Sequence, residues 1–545
     1  MMKELRFGFA SLPLILACAS ASCASNPSAE NPQPSPDAAA RAAAEARVQR
    51  RLDALQSDES SLRKLVQQMP KGADLHHHTS GGIAVEKLIE WAAQDGSCVE
   101  EPKLIATPGP CTGQQVPIAN ARTDKALHAK LLASWSMEGH KGDALLDRHN
   151  HFFATFEKFD AVLDNHFADG IADILATAGK NHQTYIELMR SLGSWGTGVE
   201  AATLVADNDP WTESYLLQKR KQFLDNKVFK DTLDNNANTF KNDIAKARTL
   251  LRCDRADADP GCQVDVRFMM EAYRDQSRGF VFGQWVYGFE LAQKEPLVVA
   301  MNLVSPEEHP NSLKNYDDEM FAISVLRKMN EADASRRPVH VALHAGELIP
   351  EVLPQDAAGQ RHLNYHVRRA VEVGAAERIG HGTDILGEVA ADKSIDLLGK
   401  MREKDVLFEI CLSSSSLLLG YEGERHPLNT LIEKNVPVAL ATDDQGLFRT
   451  NITDDWMLAV QRNHLNYRTL KKLARASVEH SFLPGKTLWA EPNRHERVVA
   501  QCARDKWGDA NASKDCKDYL NANERAALQW KLERELEAFE ASVTE

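Results

Sequence analysis

Eight short apolar runs, separated for the most part by stretches long enough for a helix, constrain this chain more than any other feature of its sequence. They read "GADLHHH", "TYIELMR", "VDVRFMM", "PLVVAMNLV", "VHVALHAG", "RIGHG", "VLFEICLSS" and "VPVALATDD". Strand-length runs alternating with amphipathic segments such as "HVRRAVEVGAAE" and "SIDLLGKMREK" indicate βα units and a parallel sheet. Eight such runs predict an α/β fold, a (β/α)8 TIM barrel, whose functional side chains would gather at the C-terminal ends of the strands.

Polar residues sit at those ends. His76 and His78 close the first run, His344 and Glu347 the fifth, His381 the sixth, Ser413 to Ser416 the seventh, and Asp443 and Asp444 the eighth. A packed barrel interior has no use for unpaired imidazoles and carboxylates, which are costly to bury alone. A shared metal ion would satisfy them. Side chains alternate faces along a strand, so His76 and His78 point one way and His77 the other. Two imidazoles spaced in this way can chelate one ion. A third histidine and a carboxylate from other strands would complete a site of the catalytic zinc type, although iron or manganese would also accept such donors.

Taken singly, most of these residues have plainer readings. The histidine of "RIGHGT" would be a satisfied core side chain, "TDD" a turn or helix cap, and "SSSS" a polar loop. The phenylalanines of "HFFATFEKF" would be core, with Phe152 and Phe156 as possible pocket walls.

The flanks suggest export. Lys3 and Arg6 precede the apolar run "FGFASLPLILA", too short to span a bilayer, and small residues follow it. Residues 1–23 are therefore expected to be a signal peptide; "LILAC" resembles a lipoprotein signal, with Cys18 or Cys23 lipidated, and soluble secretion is the alternative. The product would be periplasmic, held at the outer membrane by a lipid, or secreted. Residues 24–60 read as a Pro/Ser/Ala-rich tether and first helix, residues 61–495 as the barrel, and residues 496–545 as a helical extension. The segment from about 97 to 140 looks like an insertion after the first strand, and residues 205–262 look like a polar helical interruption. Of the nine cysteines, six fall into the local pairs Cys98 with Cys111, Cys253 with Cys262, and Cys502 with Cys516. All are expected disulfides in an oxidising compartment. Cys411 is left over and reads as a small buried side chain.

With 78 acidic against 64 basic residues the net charge is −14, and no Lys/Arg block stands out. A nucleic-acid partner is disfavoured. A small neutral molecule suits this field.

Five motifs, "MPKGADLHHHTSGG", "LHAGE", "RIGHGT", "FEICLSSS" and "ATDDQGLF", occur in the order seen in adenosine deaminases of the metal-dependent amidohydrolase superfamily, and the chain resembles that family from about Met69 to Pro484. "MPKG", the leader and the cysteine-bearing insertion look most like the secreted, growth-factor-type members. The resemblance implies one Zn2+ per chain, held by His76, His78, His344 and Asp443. It implies that Glu347 delivers a proton to N1 of the purine, His381 orients the attacking water and Asp444 hydrogen-bonds N7. It also places Ser80, Gly81, Ser305, Glu307 and Ser414 against the substrate. Zinc lowers the pKa of its water to about 7, and a buried carboxyl with a raised pKa can protonate the ring.

Several recognition positions depart from the family pattern. Thr79 and Ser80 stand where an acidic residue usually contacts the sugar, and Ser305 stands where a glycine N–H usually meets the purine. Leu412, Ser415 and Gln445 replace the usual Pro, Asn and Pro. The expected reaction is deamination of adenosine or 2′-deoxyadenosine to the inosine product and ammonia, a step of purine metabolism. One alternative is deamination of another adenine-bearing or amino-heterocyclic compound; another is a nucleoside-binding or signalling barrel without turnover. Retention of Glu347 and His381 argues against a mere binder, and the absence of a His-x-Glu followed by Pro-Cys-x-x-Cys argues against a cytidine-type deaminase. A homodimer is compatible with the sequence.

Overall fold

The computed structural model describes residues 36–544. The leader, the tether and Cys18 and Cys23 lie outside the described residues. The chain divides into residues 1–44, of which the start of the helix Pro36–Ala54 is described, and residues 45–545, which carry everything below. Among the described residues no helix is long and apolar enough to cross a membrane.

The second unit is built on eight parallel strands: β1 (Gly72–His78), β2 (Gln183–Arg190), β3 (Asp265–Tyr273), β4 (Val298–Val304), β5 (His340–Ala345), β6 (Arg378–His381), β7 (Leu407–Ile410) and β8 (Val438–Leu440). They pair in sequence order. A parallel bridge between His77 and Asp443 brings the end of β8 beside β1 and closes the barrel. All residues of β2 and β4 are buried, as expected where helices cover a parallel sheet and both strand faces are inside. The start of β1 depends on Gly72, whose φ is +71° and whose Cβ position would lie 2.3 Å from the Ala474 carbonyl oxygen. A side chain cannot occupy that space.

The seventh apolar run is shorter as a strand than its sequence suggests. Its "LSS" and the serines after it belong to the buried helix Leu412–Leu419, so the run of serines is not a loop. The Ser413 amide and hydroxyl both bond to the buried Asp455, which lets polar side chains start a helix inside the protein.

All three expected disulfides are formed, and Cys411 is buried and free. The Cys98–Cys111 bond pins a small antiparallel pair, Cys98–Val99 with Val116–Pro117, at the start of the inserted segment. Two helices follow, Lys125–Trp135 and Leu145–Thr155, and the second brings Phe152 to the barrel mouth. The helical interruption forms Glu213–Asp225, Lys227–Asn236 and Thr239–Leu250, the last carrying Asp243 to Arg190. At the C-terminus the helix Glu524–Ser542 returns to the barrel through Glu533, which takes both hydrogen bonds of the Arg475 guanidinium at 2.7 Å.

Candidate metal and active site

At the C-terminal mouth of the barrel a cavity of about 760 Å3 is lined by His78, Thr79, Ser80, Ser305, His344, Glu347, His381, Asp443 and Asp444, with an outer wall that includes Phe152, Phe153, Phe156, Trp195 and Tyr273. Strand alternation places His76 and His78 inward, where His78 Nε2 lies 3.2 Å from His344 Nε2 and 3.4 Å from Asp443 Oδ1. His76 Nε2 lies 3.5 Å from the same oxygen. His76, His344, His381 and Asp443 present ligand-type atoms within 4.8 Å of one another. His77 turns away: its Nδ1 meets Thr442 Oγ1 at 2.7 Å, and its ring fills the space where Gly82 has no side chain.

The three inward imidazoles are oriented from behind by polar partners. His76 Nδ1 meets Glu409 Oε2 at 2.7 Å, His78 Nδ1 meets Glu271 Oε1 at 2.9 Å, and His344 Nδ1 meets Asn302 Oδ1 at 2.9 Å. Such outer partners fix the ring tautomer and leave Nε2 free to bind a metal. Glu409 is itself paired with Arg378 at 2.7 Å, and Arg378 with Glu187 at 2.6 Å, all essentially buried. None of these partners was singled out from the sequence. Glu271 in "FMMEAY", Asn302 in "AMNLV" and Glu409 in "LFEI" each stand alone as a carboxylate or amide in an apolar stretch, and that isolation is the available signal.

The electrostatics suit a cation at the centre. His76 Nε2 is buried without a hydrogen-bond partner. Burial opposes charge on this ring, yet the carboxylates of Asp443 and Glu409 raise its pKa to about 10, so their field demands a positive charge at the imidazole. Burial would also raise Asp443, but the adjacent His76 ring and the neighbouring histidines hold it well below the usual carboxylate range. His344 is kept neutral by burial and by the adjacent imidazoles. A neutral imidazole and an ionised carboxylate are the forms that ligate zinc. The donor set therefore fits a divalent transition-metal ion.

Two further carboxyls have their pKa values pushed up. Burial, reinforced by the charge of Asp443, raises both Glu347 and Asp444 well above the ordinary range. His381 Nε2 lies 3.7 Å from Glu347 Oε2, and burial lowers its pKa to about 3. Asp443, His381 and Ser305 all adopt left-handed backbone conformations, with φ of 60°, 63° and 80°. Strain of this kind, of order 1–3 kcal/mol per residue, gathers where a fold must aim particular side chains.

The remaining expected contacts divide in two. Ser80 and Ser305 line the cavity; Gly81, Glu307 and Ser414 do not. Gly81 lies behind Asp444, whose Oδ1 would be 1.7 Å from a Cβ at that position. Glu307 lies beneath the loop after β5: its carboxylate accepts from the Gly346 amide at 3.1 Å and the Glu347 amide at 2.8 Å, and it meets His366 Nδ1 at 2.5 Å. Ser414 is buried in its helix with an unpartnered hydroxyl.

A family model described as Adenosine deaminase matches residues 252–488, a span that contains His344, Glu347, His381, Asp443 and Asp444. That part of the chain is similar to the adenosine deaminase family. It is 31% identical over 146 residues to an adenosine deaminase of Plasmodium knowlesi, an alignment covering 27% of this chain and 36% of that protein. It is 28% identical over 209 residues to an adenine deaminase of Sinorhizobium fredii, covering 38% of this chain and 53% of that one. The chain thus spans about a third to a half of the length of these curated relatives. Among solved structures, the adenine deaminase of Arthrobacter aurescens superposes with a TM-score of 0.45 at 18% identity, covering 76% of this chain and 94% of that one.

Proposed function

We propose that this protein belongs to that family and is a zinc-dependent aminohydrolase that converts adenosine or 2′-deoxyadenosine to the inosine product and ammonia. The observation that carries the reading is the convergence, in one cavity, of three imidazoles and the Asp443 carboxylate with Glu347, a buried carboxyl whose pKa is pushed up. A site that only binds has no need for a stored proton next to a metal-type cluster.

His76, His78, His344 and Asp443 would hold the ion, which when bound would supply the Lewis acidity that makes water a nucleophile at neutral pH. Glu347 donates its proton to N1 of the purine as water attacks the amine-bearing carbon, which neutralises the charge developing on the ring. His381, neutral and with Nδ1 unpartnered, faces Glu347 and orients the attacking water. Asp444, its pKa pushed up by burial and by Asp443, would donate its hydrogen to N7, the acceptor on the other side of the amine-bearing carbon from N1. The amine takes up the proton released by the attacking water and leaves as ammonia, and the remaining hydroxyl proton returns to Glu347 as the ring carbonyl forms.

A second reading changes the substrate and keeps the chemistry. The relatives include proteins named adenine deaminase as well as adenosine deaminase, and Thr79 spends its hydroxyl on the Met189 carbonyl at 2.7 Å instead of offering it to a sugar. The protein is proposed to work outside the cytoplasm, exported by its leader, a reading that its three disulfides support.

The test is ammonia release from adenosine, 2′-deoxyadenosine, adenine and AMP by metal-quantified protein, beside Glu347→Gln. Turnover of the nucleosides by the wild type, lost in the variant with its metal retained, is the expected result. Release of ammonia only from free adenine would move the assignment to the second reading, and full activity of Glu347→Gln would refute the proton role.

A further inference from the structure

If the amine-bearing carbon of a purine is at the metal cluster, with N1 at Glu347 and N7 at Asp444, then N9 and whatever it carries point outward along the cavity. The outer cavity is built of aromatic rings. Phe152, Phe153 and Phe156 form one wall, and Trp195 and Tyr273 belong to the same lining. Trp195 is 55% exposed although it lines the cavity, with its ring edge-on to Tyr273 at 5.9 Å and to Phe280 at 5.0 Å. It is held there, not merely placed on a mobile surface. Its helix, Ser194–Leu204, starts from Gly193 at φ +71°, where a Cβ would lie 2.4 Å from Asn236 Nδ2 and 2.6 Å from the Tyr287 hydroxyl. At about 760 Å3 the cavity stands in the upper part of the usual range for small-molecule sites, roughly 300–1,000 Å3, which leaves room beyond a nucleoside.

The charge around this outer space is one-sided. Asp160, Asp164 and Asp275 line it, and the one Arg or Lys among the described lining residues is Arg190. That guanidinium is already committed, to Asp243 at 2.6 Å and to the face of Phe167 at 3.8 Å. A phosphate on the sugar would meet three carboxylates and no free cation. An apolar group would meet aromatic side chains, with Trp195 the exposed one that gains most by being covered.

From this we propose that the outer cavity is a subsite for an apolar, uncharged substituent on the sugar side of an adenine nucleoside, with Trp195 as its principal contact. The inference rests on the deamination reading for the orientation of the base. It names the substrate class as 5′-extended, non-phosphorylated adenine nucleosides.

The experiment compares adenosine, 5′-methylthioadenosine, 5′-benzylthio-5′-deoxyadenosine and AMP, by ammonia release and, in parallel, by calorimetric binding, on the full metal-loaded protein and on Trp195→Ala. The benzylthio compound is expected to exceed adenosine in kcat/KM by about tenfold or more, with AMP well below both. Trp195→Ala should lower the benzylthio value about tenfold more than the adenosine value, and the conservative Trp195→Phe should restore most of that difference. Equal kcat/KM for adenosine and the benzylthio compound, AMP as good as either, or an equal loss on all substrates in Trp195→Ala would overturn the subsite. If no compound released ammonia, the deamination reading would fail and calorimetry would decide the subsite alone: tighter binding of the benzylthio compound, weakened by Trp195→Ala, supports it, and binding indifferent to the substituent refutes it.

Discussion

His76 and Glu409 are joined through Nδ1 and Oε2 at 2.7 Å, with both side chains fully buried. The bond fixes which nitrogen of His76 faces the cavity, and Arg378 on the far side of Glu409 balances the carboxylate charge. Glu409→Gln keeps the shape, removes the charge and is expected to weaken metal binding about 10- to 100-fold. Competition with a chelator of known affinity measures this, and unchanged affinity would remove Glu409 from the account.

Gly81 keeps the space that Asp444 occupies. Gly81→Ala should displace that carboxyl, lowering kcat/KM about tenfold or more with no loss of bound metal. Steady-state kinetics beside metal analysis of the same preparation decides it; a fully active variant would show that Asp444 needs no fixed position.

Glu307 acts on Glu347 through the main chain. Its two oxygens accept from consecutive amides of the loop that carries Glu347, and His366 secures it from the other side. In Glu307→Gln an amide nitrogen replaces one acceptor and faces an N–H group. The expected effect is a fall in kcat of about 10- to 100-fold with KM and metal content nearly unchanged. A rise in KM alone would return Glu307 to a substrate-contact role.

Glu319, buried with both carboxyl oxygens unpartnered, links stability to pH. Burial raises its pKa from 4.5 to about 8, with Arg274 opposing and Asp318 and Asp275 adding to the shift. The folded state therefore holds this proton more tightly than the unfolded state. Its contribution is complete below pH 4.5 and is lost as pH rises toward about 8. Glu319→Gln should match the wild type in thermal unfolding near pH 4.5 and exceed it at pH 9 by a few kcal/mol. Equal curves at pH 9 would contradict the shift.

Much of this arrangement is readable in the chain, for a physical reason. Strands buried on both faces appear as unbroken apolar runs, so a polar residue at their ends stands out, as His76, His78, His344, His381 and Asp443 do. What stayed hidden depends on partners remote in sequence. Glu307 resembles a substrate contact until His366 and the Glu347 amide are seen to claim it, and Gly81 resembles a loop glycine until Asp444 is found against it. The serines after Cys411 resemble a loop because nothing near them in sequence announces the buried Asp455 that caps them.

The most direct test of the central claim is reconstitution. Protein stripped of metal is titrated with zinc while bound metal and ammonia release from adenosine are followed together, for the wild type and for His78→Ala. Activity rising in proportion to bound zinc and ending at one ion per chain, with His78→Ala failing to gain it, is the predicted result. Deamination that persists without metal, or that His78→Ala recovers in full, would contradict the claim that these histidines and Asp443 build the site of the reaction.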